Sequence, residues 1–412
     1  MPSENGPAIK RTGPGEIRDL KAEPLDDNPV FNDNPLKLGV FGTNVSYGVI
    51  RSHAETNFEP SYEHNVRIAR TVEDLGLEMM VPLGRWKGFG GTTDNHGQNL
   101  ETYTWASAMS QHTDYPTIFS TSHVPTIHPL VAAKQATTID HVSQGRFGLN
   151  IVAGWFSPEM EMFGGGQLDH DERYEKAHEW IELLETFWTE QGFEYDGEFY
   201  EVDKNPEVDE KMRGPHYVAG GYMRPKPIQQ PRPPVVSAGF SPAGRDFAAT
   251  HADLSFFSLT DIDQGEEFVG DMTDRAAEKG RDPDDINVMS FGLCCIADTE
   301  AEARAEYDDI IEKADWASAN NMMDLVGMES ESYDDPQNEM AERFVTGDGS
   351  MPLVGTPEQV ADKLVEIHEA GIEGYLLCFR DYLEGLQYFG EEVLPLLEAE
   401  GIRTHRHGDP ID

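Results

Sequence analysis

Polar and aromatic side chains gather where the apolar runs of this chain end. Asn150 closes the run RFGLNIV (146–152), and Trp155 and Glu159 follow it in GWFSPE. Ser122 ends TIFSTS (117–122), another strand-like run, and His123 follows it. Such groups are costly inside a core and useful at the rim of a pocket. Glu159 is the best-placed acid for proton or hydrolytic chemistry, and His123 reads as a polar pocket group. GRWKGFGG (84–91) carries Gly84, Arg85, Trp86 and Lys87 in a glycine-rich loop that reads as a substrate or cofactor lid. No GxSxG, phosphate loop or dinucleotide GxGxxG stands in a useful context. His123 and His128 bracket VPTI, but Pro125 and Pro129 argue against one helix face, and HExxH is absent, so no metal site is expected.

SAGFSPAGRD points to an anion. Gly239 lets the backbone approach closely, and Ser241 opens a helix whose free N–H groups attract phosphate. The alternative is ordinary serine capping with no ligand. Arg173 adds a second hint, because it lies in the first turn of its own helix, where a cation is locally unfavourable. A phosphate opposite would remove that mismatch and accept two guanidinium bonds. Tyr174 offers a hydroxyl to the same group.

These residues need a scaffold that gathers strand ends. Apolar runs at 36–42, 77–83, 117–122, 146–152, 233–239, 254–259, 286–296 and 374–379 alternate with helical patterns. Runs this continuous belong to a parallel sheet covered on both faces. The expected class is α/β, a (β/α)8 TIM barrel with insertions after several strands, whose active face is the C-terminal ends of the strands. An open doubly wound sheet is the competitor. The expected organisation is a flexible extension over 1–34, one barrel domain over 35–400 and a tail over 401–412. Segments 84–100, 189–232 and 318–352 break the rhythm, and the last holds MESESYDDPQNEM, expected to cover something. The helix 171–188 has one buried stripe, Tyr174, Ala177, Ile181, Leu184 and Trp188, with Asp169 or Asp171 as its cap.

Asp and Glu number 76 against 31 Lys and Arg, a formal net charge of −45 spread along the chain. That surface repels nucleic acid and anionic membranes. It also suits a salt-rich cytosol, where screening relieves self-repulsion. The melting temperature is therefore expected to rise from low salt to molar KCl. No apolar run is long enough to span a bilayer and no signal segment opens the chain, so a cytoplasmic protein, of a halophile, is expected. The three cysteines, Cys294, Cys295 and Cys378, lie in apolar runs and read as buried hydrophobes.

Taken together, GRWKGFGG (84–91), HPLVAAKQATTIDHVSQGRFGLNIVAGWFSPE (128–159), LDHDERYEKAHEW (168–180), PKPIQQPRPPVVSAGFSPAGRDFAATHAD (225–253) and LVGTPEQVADKL (353–364) resemble the bacterial luciferase-like flavin-dependent monooxygenases. The similarity leans to the dimethyl sulfone and alkanesulfonate branch and to the pyrimidine branch that opens uracil. It implies a commonly dimeric barrel using reduced FMN delivered by a separate reductase, with O2 activated as a flavin hydroperoxide. By the same resemblance Gly84, Arg85 and Asn150 contact the flavin, Glu159 lies near it, and Arg173, Tyr174 and Ser241 meet its phosphate. A non-prolyl cis peptide near Ser122-His123 is also implied. His123, Trp155 and Arg85 are then the catalytic candidates, the tryptophan as a dry wall and the other two orienting substrate. GWF and LDHDERY favour an organosulfur substrate narrowly, GFGG favours a pyrimidine, and 202–224 fits neither branch. The rivals are a deazaflavin-dependent hydride-transfer enzyme on the same barrel, a barrel hydrolase using Glu159, and a non-catalytic flavin-binding sensor.

Overall fold

Each of the eight apolar runs forms a strand in the computed structural model, which describes residues 23–202, 220–327 and 339–404. In chain order they are β1 (Lys37–Phe41), β2 (Met79–Val81), β3 (Thr117–His123), β4 (Phe147–Val152), β5 (Val235–Ser237), β6 (Leu254–Phe256), β7 (Asn287–Ile296) and β8 (Gly374–Cys378). Every neighbouring pair is parallel, and β8 returns to β1 through Gly374↔Lys37. β6 pairs with β7 as well as β5, so the sheet closes and the open doubly wound alternative falls. The long β3–β4 ladder sets Thr121 beside Asn150 and His123 beside Val152, bringing two polar strand ends to one height.

Side chains alternate across the barrel wall, as the pleat requires. Phe41, Met79, Phe119, Phe256, Met289, Phe291 and Leu376 fill the interior, where their packing replaces any pore. Leu38, Val40, Met80, Ile118, Leu149 and Leu377 face the helical layer. Gly148 sits on the inner wall, because a Cβ there would collide with the Phe119 ring. Asn150, two residues later, shares that inward side.

The helices through residue 278 are α1 (Tyr62–Asp74), α2 (Thr102–Met109), α3 (Pro129–Ser143), α4 (Ser157–Met162), α5 (His170–Thr189), α6 (Pro242–His251) and α7 (Ile262–Glu278), of which α2 to α6 border the site. On α5, Ala177, Ile181, Leu184 and Trp188 are buried, and Tyr174 packs at the edge of the same core. Ile181→Ala is expected to cost about 2–5 kcal/mol, since the cavity would lie in a tightly filled layer; denaturant unfolding measures it. Asp169 stands at the N-cap of α5, but neither it nor Asp171 makes the expected capping bond. Asp171 and Glu172 support that end through charge alone.

Residues 300–325 form two helices. α8 (Glu300–Glu312) stops, and α9 (Trp316–Leu325) begins where the Asp315 carboxylate accepts from Ser318 N. α10 (Glu339–Gly347) follows, and α11 (Pro357–Glu369) precedes β8. A short strand, Leu353–Gly355, also pairs with the end of β7. It was not anticipated, because three residues carry no readable period. Most of MESESYDDPQNEM, like much of the 202–224 insertion, lies outside the described residues.

Both ends reach further into the fold than expected. Of the presumed extension 1–34, Glu23–Pro24 pairs with Gln229–Gln230, Val30 is buried, and the Asn28 amide donates to Gln229 Oε1; residues 1–22 lie outside the described residues. Of the presumed tail 401–412, Arg403 makes a two-pronged ion pair with the fully buried Glu78 (2.8 and 3.0 Å). The Glu78 carboxylate also accepts from Leu38 N, tying the chain end to β1. Cys294, Cys295 and Cys378 are buried and free. Among the described residues no helix is long and apolar enough to cross a membrane.

Candidate active site

The first turn of the loop after β2 is held by the Glu159 carboxylate. Glu159, in the first turn of α4, accepts from Trp86 N (2.7 Å) and Lys87 N (3.3 Å) through Oε1. Its Oε2 stands 3.6 Å from His123 Nδ1, beyond hydrogen-bond reach, and makes no other bond. Burial raises the Glu159 pKa, while Arg85 and the two amides hold it back. Burial also pulls His123 down to about 3, helped by the Arg85 charge, so its imidazole is neutral at ordinary pH. Gly84 must be small here: a Cβ would lie 2.9 Å from Thr121 Cγ2 and 3.2 Å from His123 Nε2.

The depressed His123 pKa has a consequence for stability. Its folded value is below its unfolded one, so the stabilisation it brings is complete above pH ~6.5 and is lost as pH falls toward 3. The slope from this one group approaches ~1.4 kcal/mol per pH unit. His123→Asn is expected to flatten the fall of unfolding free energy between pH 6.5 and 4.5, measured in denaturant.

Arg85 is buried against two rings. Its guanidinium carbon lies 5.2 Å from the Phe89 centroid and 5.1 Å from that of Trp155, and Phe89 and Trp155 stack. Nη1 donates to Gly84 O (2.8 Å) and Nε has no partner. Above this cage Phe89 and Phe156 pack on Met322, Met323 and Phe344 of α9 and α10, so part of the 318–352 insertion covers the loop after β2.

On the other flank the starts of α5 and α6 converge. Ser241 caps α6 by accepting from Gly244 N (3.2 Å), and its Oγ lies 3.0 Å from His170 Nε2. A Cβ on Gly244 would fall 2.7 Å from the Tyr174 hydroxyl and 2.6 Å from Gly239 Cα, so the two glycines open a cradle for α6. Burial raises the Tyr174 pKa and keeps its phenol a donor. Arg173 donates from Nη1 to Gly154 O (2.7 Å) and leaves Nε unbonded. That carbonyl joins the cradle to the GWF loop. Between the flanks Asn150 donates to Thr121 Oγ1 (3.2 Å), leaving its own Oδ1 free.

A cavity of about 340 Å³ opens beside these groups. Its inner wall is Gly84, Arg85, Thr121, Ser122 and His123, and its outer wall belongs to α2 and α3. The structure thus gathers Gly84, Arg85, His123, Trp155 and Glu159 on one flank, Arg173, Tyr174 and Ser241 on the other, and Asn150 between. The peptide after β3 departs from the expectation: the cis bonds among the described residues are Arg224-Pro225 and Gln230-Pro231.

Several site groups were not anticipated. His170 lies in LDHDERY, where the flanking acids obscured it. Tyr103 lies in TYTWASAM, where a tyrosine among apolar helix residues carries no mark of a site. Arg51 is fully buried, donates to Phe344 O (2.8 Å), pairs with Asp348 (2.6 Å) and stands 4.9 Å from the Phe89 centroid. His96 is buried against the same ring, with Nε2 2.6 Å from Gly48 O. Only the burial of Arg51 and His96 distinguishes them, and burial of a single polar residue has no sequence signature.

Residues 40–374 match the model of luciferase-like monooxygenases. The pyrimidine monooxygenase RutA of Acinetobacter baylyi is 30% identical over 373 residues, 88% of this chain and 95% of that protein. The FMNH(2)-dependent dimethylsulfone monooxygenase of Pseudomonas putida is 30% identical over 369 residues, with the same shares covered, 88% and 95%. The crystal structure of DmoA from Hyphomicrobium sulfonivorans superimposes with a TM-score of 0.74 at 21% identity, across 91% of this chain and 90% of that one.

Proposed function

The chain belongs to the luciferase-like monooxygenase family, and from that membership we infer that it is a reduced-FMN-dependent monooxygenase fed by a separate flavin reductase. The observation that supports this most is the cradle: the unbonded Arg173 Nε, the Tyr174 hydroxyl and the Ser241 cap converge at two helix starts. That donor set suits a phosphate dianion. Asn150, with its free Oδ1, and Gly84, with no side chain in the way, suit the edge of a ring system.

Reduced FMN, when bound, supplies the electrons that activate O2. The chain's own part is to bind, orient and exclude water. Arg173, Tyr174 and Ser241 hold the phosphate end. Phe89, Trp155 and Phe156 wall the reacting end, where a dry site suppresses leakage. Glu159 fixes the loop that carries Arg85. His123 and Arg85 orient the substrate.

The substrate is the finer question. The pyrimidine and dimethylsulfone relatives match equally in identity and coverage, so the preference for sulfur drawn from GWF and LDHDERY is not sustained. We place pyrimidine ring opening first and organosulfur oxygenation second. Glu159 spends one oxygen on two amides and is shielded from solvent, which disfavours its use as a hydrolytic base.

The test is an oxygen-consumption assay with FMN, a flavin reductase and uracil, dimethyl sulfone or an alkanesulfonate, run beside reduced deazaflavin. The expected result is substrate-dependent oxygenated product with FMN alone. Hydride transfer from deazaflavin with no O2 uptake would replace this reading. Flavin binding with no turnover of any substrate would favour a sensor.

A further inference from the structure

The cavity beside His123 has a wall that the roles above leave unused. Tyr103, on α2, and Ser122, at the end of β3, both line it. They are 5% and 1% exposed. Their hydroxyls face one another, yet neither completes a well-formed hydrogen bond with another group among the described residues. Leaving a buried hydroxyl unpaired costs free energy, so such atoms mark a place where a ligand completes the bonding. His123, 4% exposed, adds a neutral ring nitrogen, Nδ1, that is also unbonded, and Arg85 adds its unbonded Nε. The wall is rich in polar atoms that have no hydrogen-bond partner among the described residues.

Charge narrows the ligand further. Arg85 is the cation of the cavity: burial disfavours its charge most, Glu159 and Asp348 favour it and Arg51 opposes it, so two cations already share two carboxylates, Asp348 being paired with Arg51. The exposed Glu101 carboxylate lies on the outer rim. The whole chain carries −45. An anion approaching this mouth meets like charge and finds an arginine that is already countered. Trp86 and Phe163 stand at the mouth as an edge-to-face pair 5.1 Å apart, giving it an apolar lip.

Resting on the monooxygenase reading above, we propose that this cavity is the substrate subsite and that it selects small uncharged molecules bearing paired acceptor oxygens, with Tyr103 and Ser122 donating to them. The shared chemistry is that of the two carbonyls of a pyrimidinedione and the two oxygens of a sulfone. Alkanesulfonates, which carry the same oxygens with a full negative charge, are excluded. Tyr103 is set to read the acceptor from the α2 wall, and Ser122 to share it from the strand end.

Ligand binding is followed by ligand-observed NMR and calorimetry with uracil, dimethyl sulfone and methanesulfonate, on protein with and without FMN. FMN uptake is followed separately by its fluorescence. Uracil or dimethyl sulfone is expected to bind at least tenfold more tightly than methanesulfonate. Tyr103→Phe and Ser122→Ala are each expected to weaken that neutral ligand on the order of tenfold, with the FMN Kd and melting temperature unchanged. Methanesulfonate binding as tightly as the neutral pair, no binding of either neutral ligand, or undiminished affinity in both variants would each overturn the proposal. Absent FMN uptake would instead strike at the monooxygenase reading, while the titrations on FMN-free protein still decide the subsite.

Discussion

Arg173→Ala is expected to raise the Kd for FMN on the order of 100-fold while leaving the melting temperature nearly unchanged. Arg173 is half-buried in the first turn of α5, and among the described residues its side chain bonds to Gly154 O. It is not one of the buried stripe residues of α5, so its truncation leaves that core packing in place. In that first turn its charge opposes the helix dipole, and Asp171 and Glu172 alone favour it. A residue so placed adds little to the folded state and much to a bound dianion. Charge-assisted bonds to a phosphate contribute about 1.5–3 kcal/mol each, and about 2.7 kcal/mol of lost binding is a factor of ~100. Arg173→Lys restores the charge without the fork and is expected to recover only part of the loss. Riboflavin, which lacks the phosphate, should bind wild type and Arg173→Ala alike. Fluorescence titration of both flavins against both proteins reads all four constants.

Glu159→Ala is expected to lower kcat/KM on the order of 100-fold, with much of the fall in kcat. The Trp86 and Lys87 amides would lose their acceptor, and each unpaired amide costs about 1–3 kcal/mol. The loop would then relax, and with it Arg85, the ring cage and the wall shared with His123. Misplacement of this kind is expensive because the reacting geometry is narrow. Glu159→Gln keeps a carbonyl oxygen for both amides, and kcat/KM is expected to stay within about fivefold of wild type. If Gln falls as far as Ala, the carboxylate acts by charge and not by holding the loop. Hydrogen peroxide released per FMN oxidised separates the two variants independently, since a loosened wall admits water.

The scaffold was legible because both kinds of element repeat. Eight apolar runs between amphipathic helices leave few arrangements, and the stripe through Ala177, Ile181 and Leu184 is a clean helical period. Ser241 was legible for a local reason: a strand, a glycine, a serine and a proline in succession spell a capped helix start. What the sequence hid depends on distance along the chain. Arg51 meets Phe344 at a separation of 293 residues, and Arg403 meets Glu78 at 325. No window of residues announces such pairings. The polar, proline-rich approach to β1 reads as a linker, yet Asn28 is buried by its bonds to Gln229 and Thr117. Tyr103 was hidden because a tyrosine on a buried helix face ordinarily fills space, and only an unpaired hydroxyl over a cavity sets it apart.

The central claim is that the two helix starts and the loop after β2 bound a single flavin. A crystal structure of the protein soaked with FMN tests it most directly. The phosphate is expected within hydrogen-bond reach of Arg173, Tyr174 and Ser241, with the ring system lying along Gly84 and Asn150. FMN found elsewhere on the barrel, or its phosphate turned to solvent away from the cradle, would contradict the account.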